Sequence, residues 1–313
     1  MLGNEPPVKV LVTGAHGFIG KRLVRTLLDA NHELVATRST ADTGKPPDWT
    51  EDVRVVPLEL CSGESVRKAV GLAPDAIIHL AAVSYSRDAN ADPGWAWEVN
   101  AAGTARLLAA VRDVREDKGA DPLVILASSA EVYGQGEGQP RVESETPRPL
   151  NVYGATKLGS EIAATQAMDE WDLRVIVVRP FPATGPGYQE NRVLNKWIGA
   201  LRDGQKTVEG DSSIVRDFMD VRDVAGGYMA LLSQGRPGET YNLAAGRAVT
   251  FGELFTLLAA KLGKDARLVP STNPRRDARH LVADAGKIRQ HTGWHATIPL
   301  EKTISDLIDA QTH

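Results

Sequence analysis

Tyr153 and Lys157 stand four residues apart in the segment Tyr153-Gly154-Ala155-Thr156-Lys157, so on a helix they share one face. A phenol titrates at about 10 in its ordinary state, too high for efficient proton transfer at neutral pH, and a nearby ammonium favours the phenolate and lowers that value. The pair is therefore a candidate for moving a proton. A second cluster, Ser128-Ser129-Ala130-Glu131-Val132-Tyr133-Gly134, carries two hydroxyls and a carboxylate. A serine there can hydrogen-bond and orient a substrate oxygen, or simply cap a strand end. A third, Thr13-Gly14-Ala15-His16-Gly17-Phe18-Ile19-Gly20, lies between an apolar run and an amphipathic one. Glycines at such a turn let backbone N–H groups approach a pyrophosphate, whose charge the positive helix end stabilises. Its glycines are spaced three and three, unlike the two-and-three spacing of the common dinucleotide fingerprint. A pyrophosphate cradle with a proton-transfer pair points to an enzyme that moves a hydride and a proton.

These residues need a scaffold. Val8 to Val12 is a short β-branched run that reads as a buried strand, and Phe18 to Ala30 has helical spacing. Further strands are expected at Glu33–Thr37, Val53–Pro57, Asp75–Leu80, Leu123–Ala127 and Leu173–Val178. Helices are expected at about 63–71, 94–116 and 152–170. Strands alternating with helices predict a parallel sheet covered on both faces, with right-handed crossovers. Ligands bind at the carboxyl ends of such strands, where Ser128 and Ser129 fall. After Arg179 the texture changes to a Pro- and Gly-punctuated loop followed by shorter helices and strands, with helical patterns near 190–203, 220–233, 251–262 and 299–310. The expected fold is α/β: a Rossmann-type doubly wound sheet over 1–178 plus about 217–243, and a smaller C-terminal substrate lobe over 179–216 and 244–313.

The end of the second strand separates NAD from NADP. An acidic residue there accepts from the adenosine ribose, whereas a cation favours a 2′-phosphate. The chain reads Ala36-Thr37-Arg38-Ser39-Thr40, without a carboxylate. Arg38 can pair with the phosphate and Ser39 can donate a hydroxyl, which favours NADP(H) with NAD(H) as the alternative. Arg38 can equally be a loop residue stacked on adenine.

The remaining composition narrows the classes. The 313 residues are 42% hydrophobic and 24% charged, ordinary for a globular protein with a sizeable core. A formal net charge of −4 with no long basic run speaks against nucleic acid or an anionic membrane as the main partner. No apolar run is long enough to span a bilayer, and the segment Met1 to Pro7 lacks the form of a secretory signal. The single cysteine, Cys61, forms no intrachain disulfide, and a cytoplasmic location is expected. The seven histidines have no zinc-like spacing, so no metal is expected. His79 and His16 are expected to flank the cofactor or be packed.

The three clusters, with Asp75 to Ala82, Asn100, Arg179-Pro180-Phe181, Gly185-Pro186-Gly187, Arg216 to Val224, Tyr241-Asn242-Leu243 and Thr292-Gly293-Trp294, resemble the extended short-chain dehydrogenase/reductases over essentially the whole chain. That family includes nucleotide-sugar epimerases, dehydratases and reductases. The resemblance implies that Tyr153 is the acid/base, Lys157 its electrostatic partner and ribose clamp, and Ser129, five before Gly134, the ligand of the substrate oxygen. Glu131 matches the glutamate that helps remove a C5 proton in the 4,6-dehydratases. Ala130 beside it cannot supply an acid to expel a hydroxyl, and the pattern looks most like the branch of GDP-4-keto-6-deoxy-mannose reductases. Cofactor contacts are implied for Gly14, His16, Gly17, Phe18, Ile19, Gly20, Arg38, Ser39, Glu59, Leu60, Leu80, Ala81, Ala82, Asn100, Ala127 and Pro180. Asn100 is also expected to support a helix near the site. Substrate contacts are implied for Ser84, Ser129 and Arg216, the last gripping a diphosphate. The substrate details are expected to depend on the 182–193 loop and on Arg275, Arg276 and Asp277. The chain departs from the family pattern at Pro182, Glu59 and Val152, where Asn, Asp and Pro are usual. A homodimer through the 94–116 and 152–170 helices is implied, with Trp95 and Trp97 at its interface.

Overall fold

The structure is a computed structural model that describes residues 7–136, 138–188, 192–271 and 278–311. Six strands, β1 (Lys9–Thr13), β2 (Glu33–Arg38), β3 (Arg54–Pro57), β4 (Ala76–His79), β5 (Leu123–Ala127) and β6 (Val175–Pro180), join the strand Thr240–Leu243 in one sheet. Its order is Thr240–Leu243, β6, β5, β4, β1, β2, β3, and every pairing is parallel. The chain therefore starts in the middle and winds outward both ways, the doubly wound α/β Rossmann-type arrangement.

Alternation along the strands divides the core in two. Val10 and Val12 of β1, Ile78 of β4 and Ile125 of β5 face one layer with Leu23, Val24 and Leu27 of α1 (Phe18–Asp29). Leu11, Ile77, Val124 and Leu126 face the other, with α2 (Gly63–Val70) and the helices introduced next. Both faces are covered, so β4 and β5 are apolar and buried at nearly every position.

The stretch expected as one helix over about 94–116 is interrupted. After α3 (Ser86–Ala91), which the sequence pattern did not indicate, come α4 (Pro93–Trp97), a π-helical turn at Glu98–Ala102, and α5 (Gly103–Lys118). The turn is centred on Asn100, which is 1% exposed. Its Oδ1 accepts from Val83 N (2.7 Å), and its Nδ2 donates to Val83 O (3.1 Å) and Thr156 Oγ1 (2.9 Å). Its carbonyl accepts from Thr104 and Ser160 hydroxyls. Such turns let a helix satisfy side-chain partners that a regular ladder would exclude.

Helix α6 (Val152–Trp171) starts on Asn151, whose Oδ1 accepts from Gly154 N at 2.8 Å, and ends at Asp172 in the left-handed region. Beyond β6, α7 (Val193–Arg202), α9 (Phe251–Lys261) and α11 (Leu300–Ala310) enclose a separate apolar cluster around Trp197, Phe255 and Ile304. Between them α8 (Val221–Gln234) returns to cover the large sheet against α1, followed by α10 (Gly286–Thr292). Among the described residues no helix is long and apolar enough to cross a membrane.

Candidate active site

The turn after β1 can only be glycine at two places. Gly14 has φ +66°, and a Cβ there would stand 2.7 Å from Ala81 N; a Cβ on Gly20 would stand 2.2 Å from Gly14 O. These close approaches bring α1 hard against β1 and β4. Gly17 begins α1 with no side chain capping the first turn. Uncapped N–H groups and the positive helix end make a seat for an anion. A cradle that a Cβ would fill, opening on such a helix, fits a dinucleotide pyrophosphate.

That turn forms one end of a cavity of about 280 Å³. Of the residues singled out in the sequence, its wall brings together Gly14, Gly17, Phe18, Ile19, Gly20, Leu80, Ala82, Ser84, Ala127, Ser129, Glu131, Tyr153, Lys157 and Pro180. Seven of the implied cofactor contacts lie off the wall. Asn100 is one step behind it, holding the loop after β4 to α6. Leu60 is buried beneath Gly103, and Ala81 N donates to Thr13 Oγ1. His16 and Arg38 converge on Asp42, while Ser39 and Thr40 donate hydroxyls to Glu59 Oε1. Glu59 thus ties down the turn after β2.

The two serines separate cleanly. Ser128 Oγ donates to Glu161 Oε1 at 2.5 Å, whereas the Ser129 hydroxyl meets the Tyr153 phenol. Ser129 also receives Glu131 N (3.1 Å), and Glu131 accepts from Asn151 Nδ2 (3.0 Å), so this turn and the start of α6 are fastened together. Glu161 was not foreseen, although its position four residues after Lys157 on the same helix is a legible signal. It is buried and holds Arg179 through two bonds of 2.9 and 2.8 Å.

Burial governs the titrating groups. The Lys157 ammonium is pushed down to about 8 by burial, with Glu161 opposing the shift. The Tyr153 phenol is raised by burial; the Ser129 bond opposes this, and the Glu131 carboxylate adds to it. The expected lowering by Lys157 does not dominate: burial is the largest influence on the phenol, Arg192 is the cation that opposes it, and Tyr153 keeps its proton at neutral pH. His79 is locked between Thr13 Oγ1 (2.7 Å) and Thr104 Oγ1 (3.3 Å), and burial lowers it to about 3. It is a packed neutral imidazole.

A larger cavity of about 1040 Å³ adjoins the first, sharing Glu131, Pro182, Tyr188 and Arg192. Arg216 lies here with Arg192, Lys196 and Arg279, beside Tyr85, Trp197, Phe218 and Phe251. Its guanidinium stands over the Phe251 ring and donates to Val215 O. Asp217 accepts from backbone amides, and Asp220 holds Arg222 and Thr303. Cations between aromatic walls can take a phosphorylated, ring-bearing ligand. Tyr188 and Arg192 were not singled out individually in the sequence. Residues 189–191 of their loop, with Arg275, Arg276 and Asp277, lie outside the described residues. Among the described residues no cluster of three or more His, Cys, Asp or Glu is arranged to hold a metal ion.

The parallel sheet, the glycine turn and the Ser-Tyr-Lys cavity define a nucleotide-dependent oxidoreductase. The model of the NAD dependent epimerase/dehydratase family matches residues 10–244. The chain belongs to that family, the extended short-chain dehydrogenase/reductases, whose enzymes are NAD(P)-dependent nucleotide-sugar reductases, epimerases and dehydratases. It is 30% identical to GDP-6-deoxy-D-mannose reductase of Pseudomonas aeruginosa over 96% of each chain. The solved structure of RMD from Pseudomonas aeruginosa complexed with NADPH superposes with a TM-score of 0.80 at 28% identity, covering 97% of this chain and 98% of that one. UDP-glucose 4-epimerase of Thermus thermophilus, in complex with NAD, gives 0.86 at 27% identity, covering 96% and 98%.

Proposed function

We propose that this enzyme is a reductase of a nucleotide-linked 4-keto-6-deoxy sugar, with NADPH preferred and NADH accepted. The observation that carries the reading is the Tyr153 phenol bonded to Ser129 and walled in with the glycine cradle and Lys157. Reduction of a ketone needs a proton donor, and a phenol raised by burial is in the donor state. When bound, the reduced nicotinamide supplies the hydride that forms the new C4–H bond. The Ser129 hydroxyl holds the ketone oxygen, and the Tyr153 O–H transfers its proton to that oxygen as the C=O π bond breaks. The Lys157 ammonium stabilises the phenolate left behind. Ala130, 2% exposed beside Ser129, provides no acid to expel a C6 hydroxyl, which disfavours dehydration.

The charged and aromatic cavity around Arg216 is assigned to the nucleotide diphosphate, with a GDP carrier inferred from the likeness to the Pseudomonas reductase. The exposed face of α4 and α6, with Trp95 50% and Ile162 57% exposed, is assigned to a homodimer in the cytoplasm. The test is oxidation of NADPH by the purified protein with GDP-4-keto-6-deoxy-mannose. Sugar-dependent oxidation is expected, and Tyr153→Phe should lower turnover by about 10²-fold or more while NADPH binding changes little. Full turnover by Tyr153→Phe overturns the mechanism; bound cofactor that never turns over with the sugar points to 4-epimerisation.

A further inference from the structure

β1 and β2 are neighbours, so the turn after β1 and the end of β2 converge where the adenosine ribose of a dinucleotide lies. Three side chains meet there. Asp42 Oδ2 is 3.2 Å from Arg38 Nε and 3.3 Å from His16 Nδ1. Arg38 Nη2 donates to the carbonyls of Asp42 (2.8 Å) and Gly44 (2.7 Å), and Gly44 N donates back to Asp42 Oδ1 (2.8 Å). The His16 ring is set edge-on against the buried Trp49 at 5.5 Å. The guanidinium expected to receive a 2′-phosphate is thus already gripped by oxygens of the 42–44 turn. The carboxylate missing from the end of β2 enters the same place four residues later.

We propose that Asp42 sets the cofactor preference: its carboxylate competes with the 2′-phosphate of NADPH for Arg38 and thereby keeps NADH acceptable. The inference rests on the nicotinamide-dependent reading above. The Arg38–Asp42 pair is about a third exposed on both sides, and such pairs are weak enough for a dianionic phosphate to displace. Displacement leaves Asp42 facing that phosphate, which weakens NADPH. A ribose 2′-hydroxyl displaces nothing and can donate to Asp42 where it stands. His16 steadies Asp42 from the cradle side, so the carboxylate is held by two elements.

The experiment is fluorescence titration of NADPH and NADH into wild type, Asp42→Asn, Asp42→Ser and Arg38→Ala, without sugar. Both Asp42 variants should bind NADPH about tenfold more tightly, the size expected for removing one charge facing a dianion at about 5 Å in a water-like dielectric, with NADH unchanged or weakened. Arg38→Ala should weaken NADPH selectively. Unchanged or weakened NADPH binding in the Asp42 variants, or equal changes for both cofactors, overturns the role of Asp42. A wild type that binds neither cofactor overturns the nicotinamide reading itself, a different failure.

Discussion

Lys157 and Glu161 form the most consequential pair of charges in the site, because both are buried on one face of α6. With Lys157 lowered to about 8, its ammonium is present below that pH and lost above it. Affinity for the polyanionic cofactor should therefore fall as pH rises through about 8. Lys157→Met should bind NADPH more weakly and lack that step. Fluorescence titrations between about pH 6.5 and 9.5 check this, and a wild-type profile that is flat across the range contradicts it. At this scale the sequence was informative where spacing alone defines a neighbour: Tyr153 to Lys157 on a helix face, and Gly14 to Gly20 in a turn. It could not show that burial raises the Tyr153 phenol, because desolvation depends on what covers the ring. Nor could it find Asp42 on Arg38, since that contact is made by a turn that carries no periodicity.

Elements rather than residues decide whether these groups stay in register. β1 is tied to β4 through Thr13 and His79, and His79 reaches α5 through Thr104. The imidazole has a folded value of about 3 against 6.5 when free. As pH falls below 6.5 the unfolded chain takes up this proton first, so stability declines between about pH 6.5 and 3. The full effect is at most about 5 kcal/mol. His79→Gln should be less stable at pH 7 yet decline less steeply over that window, as measured by urea unfolding at a series of pH values. A parallel decline in both proteins would contradict it. The strands were legible because buried parallel strands are apolar throughout, and the helices because their stripes and caps are local. The π-turn at Glu98–Ala102 was not, since a stripe of apolar residues continues through it while Asn100 bonds to residues far along the chain. The short strands expected after Arg179 could not be placed for a related reason: two- and three-residue pairings are set by their partners.

The molecule as a whole joins two cavities at Glu131, Pro182, Tyr188 and Arg192, one walled by the large sheet and the other by the cluster around Trp197. Under the proposed function, chemistry and substrate recognition fall to different parts of the chain, and only the Ser-Tyr-Lys cluster has a spacing that the sequence displays. The outer face of α4 and α6 bears Trp95, Trp97 and Ile162, while a Cβ on Gly159 would meet the Trp97 ring at 2.7 Å. Trp97 therefore packs against α6 at Gly159 and broadens an apolar face. Light scattering should give twice the chain mass for wild type and the single-chain mass for Trp95→Glu with Ile162→Glu. A monomeric wild type would contradict the dimer.

The central claim is transfer of a hydride to C4 of a nucleotide-linked keto sugar. Its most direct test uses NADPH deuterated at both C4 positions of the nicotinamide, with GDP-4-keto-6-deoxy-mannose and mass and NMR analysis of the product. The account predicts one deuterium per product sugar, on C4, with one NADPH consumed. A product without deuterium, or no net consumption of the cofactor, would contradict it.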